Sequence, residues 1–160
     1  MKKSSTTFLR VVVVLIGIGV LALMLWEPHL EGRNAHATTF QIYFNDPFLV
    51  YAYTASIFFF AALYQVFKLL GFIGRNQVFS PAAVKTLRTT KYCAMPLVGF
   101  VVGAEGYFFL VRRGEDDIAG GVAMGLFMIF ISTVVATAAA VFERLLQSAV
   151  DIKSENDLTV

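Results

Sequence analysis

Glu105 lies in the stretch FVVGAEGYFF, among valines, phenylalanines and glycines. A carboxylate inside a membrane is by default a suspect for proton or cation handling. Its depth argues for a quieter role. Arg112 and Arg113 mark the end of that apolar stretch, and Glu105 precedes Arg112 by seven residues, about 10 Å along a helix axis. At that depth water and basic partners lower the cost of a charge. Glu105 and Arg112 share a helix face two turns apart, and Arg113 or Arg33 can also reach inward. Glu105 is therefore read as a shallow carboxylate, paired or protonated. An intramembrane ion site is the alternative, although transporters concentrate several polar groups at mid-depth. No other apolar stretch carries a charged residue or a histidine in its interior.

The remaining reactive side chains assemble into no known chemistry. Glu27, His29, Glu31 and His36 crowd one segment and could in principle ligate a metal. Their spacing matches no established ligand set, so they are read as solvated loop residues. Cys93 is the single cysteine, which excludes an intrachain disulfide and leaves a small apolar helix residue. No Ser/His pair, Asp/Asp pair or zinc-binding helix motif is present, so neither an enzyme nor a cofactor is expected.

A second cluster is basic. Ser80-Pro81 reads as a helix N-cap followed by proline at the first helical position. Lys85, Arg88 and Lys91 then recur every three residues. They suit anionic lipid headgroups, at about 1 kcal/mol per basic residue. Direct nucleic-acid binding is not expected, because the basic residues are tethered and match no binding module. Near the C-terminus Asp151, Glu155 and Asp157 supply acids that could dock on this basic segment. On that reading, charge reversal at Lys85 and Arg88 loosens the tail.

The elements that carry these residues are set by hydropathy. The chain is 58% hydrophobic and 15% charged, with a net charge of +2 and sixteen phenylalanines in 160 residues. A water-soluble domain of this size needs more polar surface. Four apolar runs cover residues 8–26, 48–70, 93–111 and 118–142; the second is uncharged through Phe67. Each approaches or exceeds the roughly 20 residues a helix needs to cross about 30 Å of hydrocarbon. Lipid offers the backbone no hydrogen-bond partners, so each crossing segment must be helical. The expected fold is all-α: a polytopic four-helix transmembrane bundle in one domain, with a basic loop at 68–92 and a tail at 143–160. The fourth run is longer than a span requires, and FERLLQSAVDIK prolongs it with an apolar stripe of Phe142, Leu145, Leu146, Ala149 and Val150.

Orientation follows from the basic residues. Lys2, Lys3, Arg10, Lys68, Arg75, Lys85, Arg88, Lys91, Arg144 and Lys153 fall on one side; Arg33, Arg112 and Arg113 fall on the other. The positive-inside bias then places both termini and the middle loop in the cytoplasm. Trp26, Tyr43 and Tyr107 near one interface, and Tyr64 and Tyr92 near the other, suit the aromatic belts. The start of the chain also imitates a signal peptide ending near Ala35-His36-Ala37. Its apolar run is longer than a usual signal core, so an uncleaved anchor is expected. Gly99 and Gly103 on the third span, and Gly121 and Gly125 on the fourth, have the spacing that lets helices approach closely. Ser132, Ala136 and Ala140 continue that rhythm. These residues predict contact between spans three and four, or a homo-oligomer face. Pro96 is a candidate kink.

The stretches FFFAALYQVFKLL, VFSPAAVKTLRTTKYCA and DIKSENDLTV resemble the YoaS-like family of bacterial membrane proteins, classed as domain of unknown function 2975. The resemblance spans nearly the whole chain, and the ending is its most specific part. It implies a multi-pass protein of the bacterial cytoplasmic membrane and carries over no catalytic residue. It also suggests a cytoplasmic partner, a helix-turn-helix regulator of the Cro/C1 type. The expected function is a non-enzymatic interaction or signalling protein in the lipid bilayer. A small transporter or channel subunit using Glu105 is the alternative.

Overall fold

In the computed structural model the four apolar runs are four helices: α1 (Lys3–Trp26), α2 (Pro47–Gly74), α3 (Pro81–Val111) and α4 (Ile118–Leu158). The structure describes residues 3–26, 38, 40, 47–111 and 118–158, with side chains described from Ser4 on and not for Ile118, Asp157 or Leu158. There is no strand among the described residues. All four helices are long and apolar enough to cross a membrane. The segment holding Glu27, His29, Glu31, Arg33 and His36, the Ala35-His36-Ala37 site, Tyr43, and Arg112 and Arg113 lie outside the described residues.

The segment expected as a loop over 68–92 is mostly helix. Helix α2 runs on to Gly74 and α3 starts at Pro81, so only residues 75–80 turn. The reason is local capping chemistry. Asn76 adopts a left-handed conformation, φ 57°. Its N–H donates to the Ile73 carbonyl at 3.2 Å, and the Gln77 N–H donates to the Phe72 carbonyl at 2.8 Å. That pattern is a Schellman C-cap, with Asn in the position usually held by Gly. Ser80 Oγ then accepts from the Ala83 N–H at 3.3 Å, with Pro81 at the first helical position. The reading of Ser80-Pro81 as a helix start holds.

Consecutive helices pack antiparallel, and the main contacts follow chain order: α1 on α2, α2 on α3, α3 on α4. Thr6 faces Gly74, Arg10 faces Gly71 and Gly17 faces Leu63. A Cβ at Gly17 would come within 3.0 Å of Leu63 Cδ2, so α1 and α2 approach closely there. Helix α2 bonds to both neighbours. Tyr53 Oη donates to the Met24 carbonyl of α1 at 2.7 Å, and Tyr51 Oη donates to the Phe100 carbonyl of α3 at 2.7 Å. Phe48 packs on Phe108 and Phe58 on Phe100, with ring centroids 5.3 and 5.6 Å apart. The Lys3 end of α1, the turn at 75–80 and the Leu158 end of α4 therefore share one end of the molecule.

The most extensive interface joins α3 and α4. Along α4 the buried positions are Gly125, Ser132, Ala136, Ala139 and Glu143, flanked by half-buried Val122, Ile129, Leu146 and Val150, with Ala138, Ala140, Gln147 and Ala149 also half-buried beside them. The first nine step by three and four, the spacing of a helix-pair seam. Ala83, Val84, Thr86, Leu87, Thr90 and Ala94 are the buried residues of α3 in its first half. Thr86 and Thr90 are buried with their hydroxyls donating to carbonyls one turn earlier, so burial leaves them satisfied. Outside the seam α4 exposes Leu126, Phe127, Phe130, Val134 and Phe142, a lipid-facing surface.

Helix α4 has 41 residues, about 61 Å of rod against about 30 Å of hydrocarbon. It continues beyond its apolar run as one unbroken helix. Its buried stripe there differs from the expected one: Phe142 and Leu145 are exposed, while Glu143 takes the seam position. Pro96 sits inside α3, which runs through it.

Candidate functional site

Two carboxylates define the polar chemistry of the α3–α4 seam, one near each end. At the end where the chain turns at 75–80, α3 supplies Arg88 and Lys91 and α4 supplies Glu143. Arg88 Nε donates to Glu143 Oε1 at 2.6 Å, and Lys91 Nζ donates to Oε2 at 2.7 Å. Each carboxylate oxygen thus meets its own cation. The Glu143 side chain is 10% exposed, against 54% for Arg88 and 19% for Lys91. A three-residue step puts the two cations one helical turn apart on α3, close enough to flank a single carboxylate.

The electrostatic consequence is directional. The hydrogen bonds from Lys91 and then Arg88 hold the Glu143 carboxyl below the usual carboxylate range, against an opposing push from burial. Arg88 is held above its ordinary value, first by its hydrogen bond to Glu143. Glu143 takes a charged donor on each oxygen and acts as a clamp between helices.

Near the other end, Glu105 projects from α3 onto Gly125 of α4. It is 7% exposed, and its Oε2 is buried without a hydrogen-bond partner among the described residues. A Cβ at position 125 would fall on the carboxylate, so the space Glu105 fills exists because residue 125 is glycine. The arginines at 112 and 113 that were expected to reach it lie outside the described residues. What the arrangement offers chemically is a buried acceptor oxygen, open to a proton, a cation or a donor.

The other residues singled out in the sequence scatter. Gly103 faces the Tyr51 hydroxyl of α2, whereas Gly99 and Gly121 face nothing within 4 Å among the described residues. Gly125 serves the α3–α4 contact, and it does so by admitting a side chain. Ser132 and Ala136 are buried in the seam, with Ala139 taking the place expected of Ala140. Lys85 is exposed and has no acidic partner among the described residues. Asp151 accepts from Gln147 Nε2 at 2.8 Å within its own helix, and Glu155 is exposed. The side chain of Asp157 lies outside the described residues. The acid that engages the basic face of α3 is thus Glu143, which sequence reading passed over because it follows an apolar run and looks like a solvated boundary residue. The seam spacing 132, 136, 139, 143 is the signal that could have found it.

Comparison with known proteins agrees with a membrane protein. Residues 30–160 match the family described as "Protein of unknown function (DUF2975)". The chain belongs to that family. It is also 42% identical over 161 residues, covering 100% of both chains, to a Bacillus subtilis (strain 168) protein described as "Uncharacterized membrane protein YoaS". No solved structure matches. The relative's description and the four apolar helices agree on a membrane protein, and the family's description gives no activity.

Proposed function

We propose that this protein is a non-enzymatic interaction or signalling protein of the bacterial cytoplasmic membrane, working through the α3–α4 pair where it projects from the bilayer. The observation that carries the reading is the clamp of Arg88 and Lys91 on Glu143. It fastens the two helices together just where their apolar spans end, and so makes a stiff platform of the segments beyond. The excess of Lys and Arg on that side supports a cytoplasmic location for it. Lys68, Arg75 and Lys85 are exposed there with no acidic partner among the described residues, and Asp151 and Glu155 stand exposed on the α4 extension. This surface of mixed charge suits a cytoplasmic protein such as the helix-turn-helix regulator implied by the family resemblance. The exposed apolar face of α4 also suits a second copy of the chain. Cross-linked co-purification from native membranes tests the reading. Recovery of a regulator linked through residues 81–92 or 143–158 is the expected result, and recovery of no partner through either segment would overturn it.

A second reading, a small transporter or channel subunit, is favoured by the buried, unpartnered oxygen of Glu105. It predicts a solute or ion flux in proteoliposomes that Glu105→Gln abolishes. Absence of flux in the wild type would dismiss it.

A further inference from the structure

Arg10 lies in the α1–α2 interface, about 10 Å along the helix from Lys3. Its guanidinium carbon stands 4.1 Å from the centre of the Phe67 ring, and its Nη2 reaches toward Gly71. Its Nε is buried and has no hydrogen-bond partner. Helices α1 and α2 contain no acidic residue, so neither supplies a counter-ion. Arg10 has no counter-ion among the described residues; a guanidinium in that state at the edge of hydrocarbon is costly, and membrane proteins relieve that cost by reaching toward the interface. The surroundings show what could meet it. Arg10 and Thr7 form the polar end of a surface groove whose walls are Val11, Val14, Leu15 and Phe67. The groove therefore runs from a cationic end at the membrane edge along an apolar strip of α1 toward the bilayer interior.

We infer that this groove binds an anionic phospholipid, with the phosphate on Arg10 and an acyl chain along Val11, Val14 and Leu15. The phosphate supplies the missing counter-ion, and the fork geometry of guanidinium matches its oxygens. Phe67 holds the guanidinium plane by a cation–π contact and so orients it before the lipid arrives. Lys68, exposed on the next residue of α2, adds positive field at the same end. A free phosphate shares the headgroup chemistry but would gain nothing from the apolar walls.

The test uses delipidated full-length protein in neutral detergent. It is titrated separately with phosphatidylglycerol, phosphatidylcholine and inorganic phosphate, and bound lipid is counted by native mass spectrometry. The wild type should retain phosphatidylglycerol in clear preference to phosphatidylcholine. Arg10→Gln should weaken that preference about tenfold, the loss expected for one charged hydrogen bond. Arg10→Lys should keep part of it. Equal retention of both lipids by the wild type would overturn the inference without recourse to any variant. So would an undiminished preference in Arg10→Gln, or displacement of phosphatidylglycerol by inorganic phosphate at comparable concentration.

Discussion

Glu143 and Glu105 lie in the same seam, one contributed by each helix, and both are almost wholly buried. Their surroundings differ in kind. Glu143 sits where the helices leave the apolar zone, and two cations from α3 occupy both of its oxygens. Glu105 sits inside the apolar zone, in space left by a missing side chain, and one of its oxygens meets no donor. The contrast shows that burial alone does not assign a role to a carboxylate. A saturated acid fastens helices, whereas an unsaturated one stores unmet hydrogen-bonding capacity.

The contrast breaks most severely at Gly125. Gly125→Val should destabilise the protein by about 1–3 kcal/mol, since a branched side chain must displace a buried carboxylate. Thermal unfolding in detergent measures it. Gly125→Ala should cost less, and Glu105→Ala should relieve part of that cost by vacating the space. Strict additivity of the two would show that the residues do not touch.

Glu143→Ala comes next. It leaves Arg88 and Lys91 facing each other without an acid and should lower cross-linking between engineered cysteines across the adjoining seam. The loss should be smaller than for Gly125→Val because Arg88 is half in solvent and screened. The combined exchange Arg88→Glu with Glu143→Arg should recover part of the cross-linking. No recovery would mean that the clamp is steric.

Acid should sort the two ends further. The folded state holds the Glu143 carboxyl below its ordinary 4.5. A depressed carboxyl contributes stability that is full above the ordinary value and is lost as pH falls through the depressed one. The seam beside Glu143 should therefore loosen below about pH 4.5 in hydrogen exchange, and Glu143→Gln should remove that pH dependence. Among the basic residues, Arg88→Glu should loosen the seam while Lys85→Glu leaves it unchanged. Equal effects would restore the docking of the terminal acids on both. The smallest change in stability is expected for Glu105→Gln, which keeps the size of the side chain. A large loss there would mean that Glu105 has a charged partner.

The four helices were legible from apolar run length because lipid permits few other backbone solutions. The helix start at Ser80-Pro81 was legible because capping is local chemistry. The pairing of side chains was not. Four glycines shared the spacing of a close helix contact, yet Gly99 and Gly121 meet nothing among the described residues, because a repeat of small residues does not say which face meets which neighbour. Glu143 was hidden by its position at the end of a run. Its neighbours Arg88 and Lys91 are 55 and 52 residues away in sequence, so only the antiparallel register brings them together.

The unbroken length of α4 turns the clamp into a pivot. Gly125 lies about 27 Å from Glu143 on one side, and Leu158 about 22 Å on the other, at ~1.5 Å per residue. If α4 rocks about Glu143 as a stiff beam, displacing it sideways by ~3 Å beside Glu105 swings its Leu158 end by ~2.5 Å in the opposite direction. An event within the bilayer then reaches the aqueous phase as mechanical leverage, with no further moving part required.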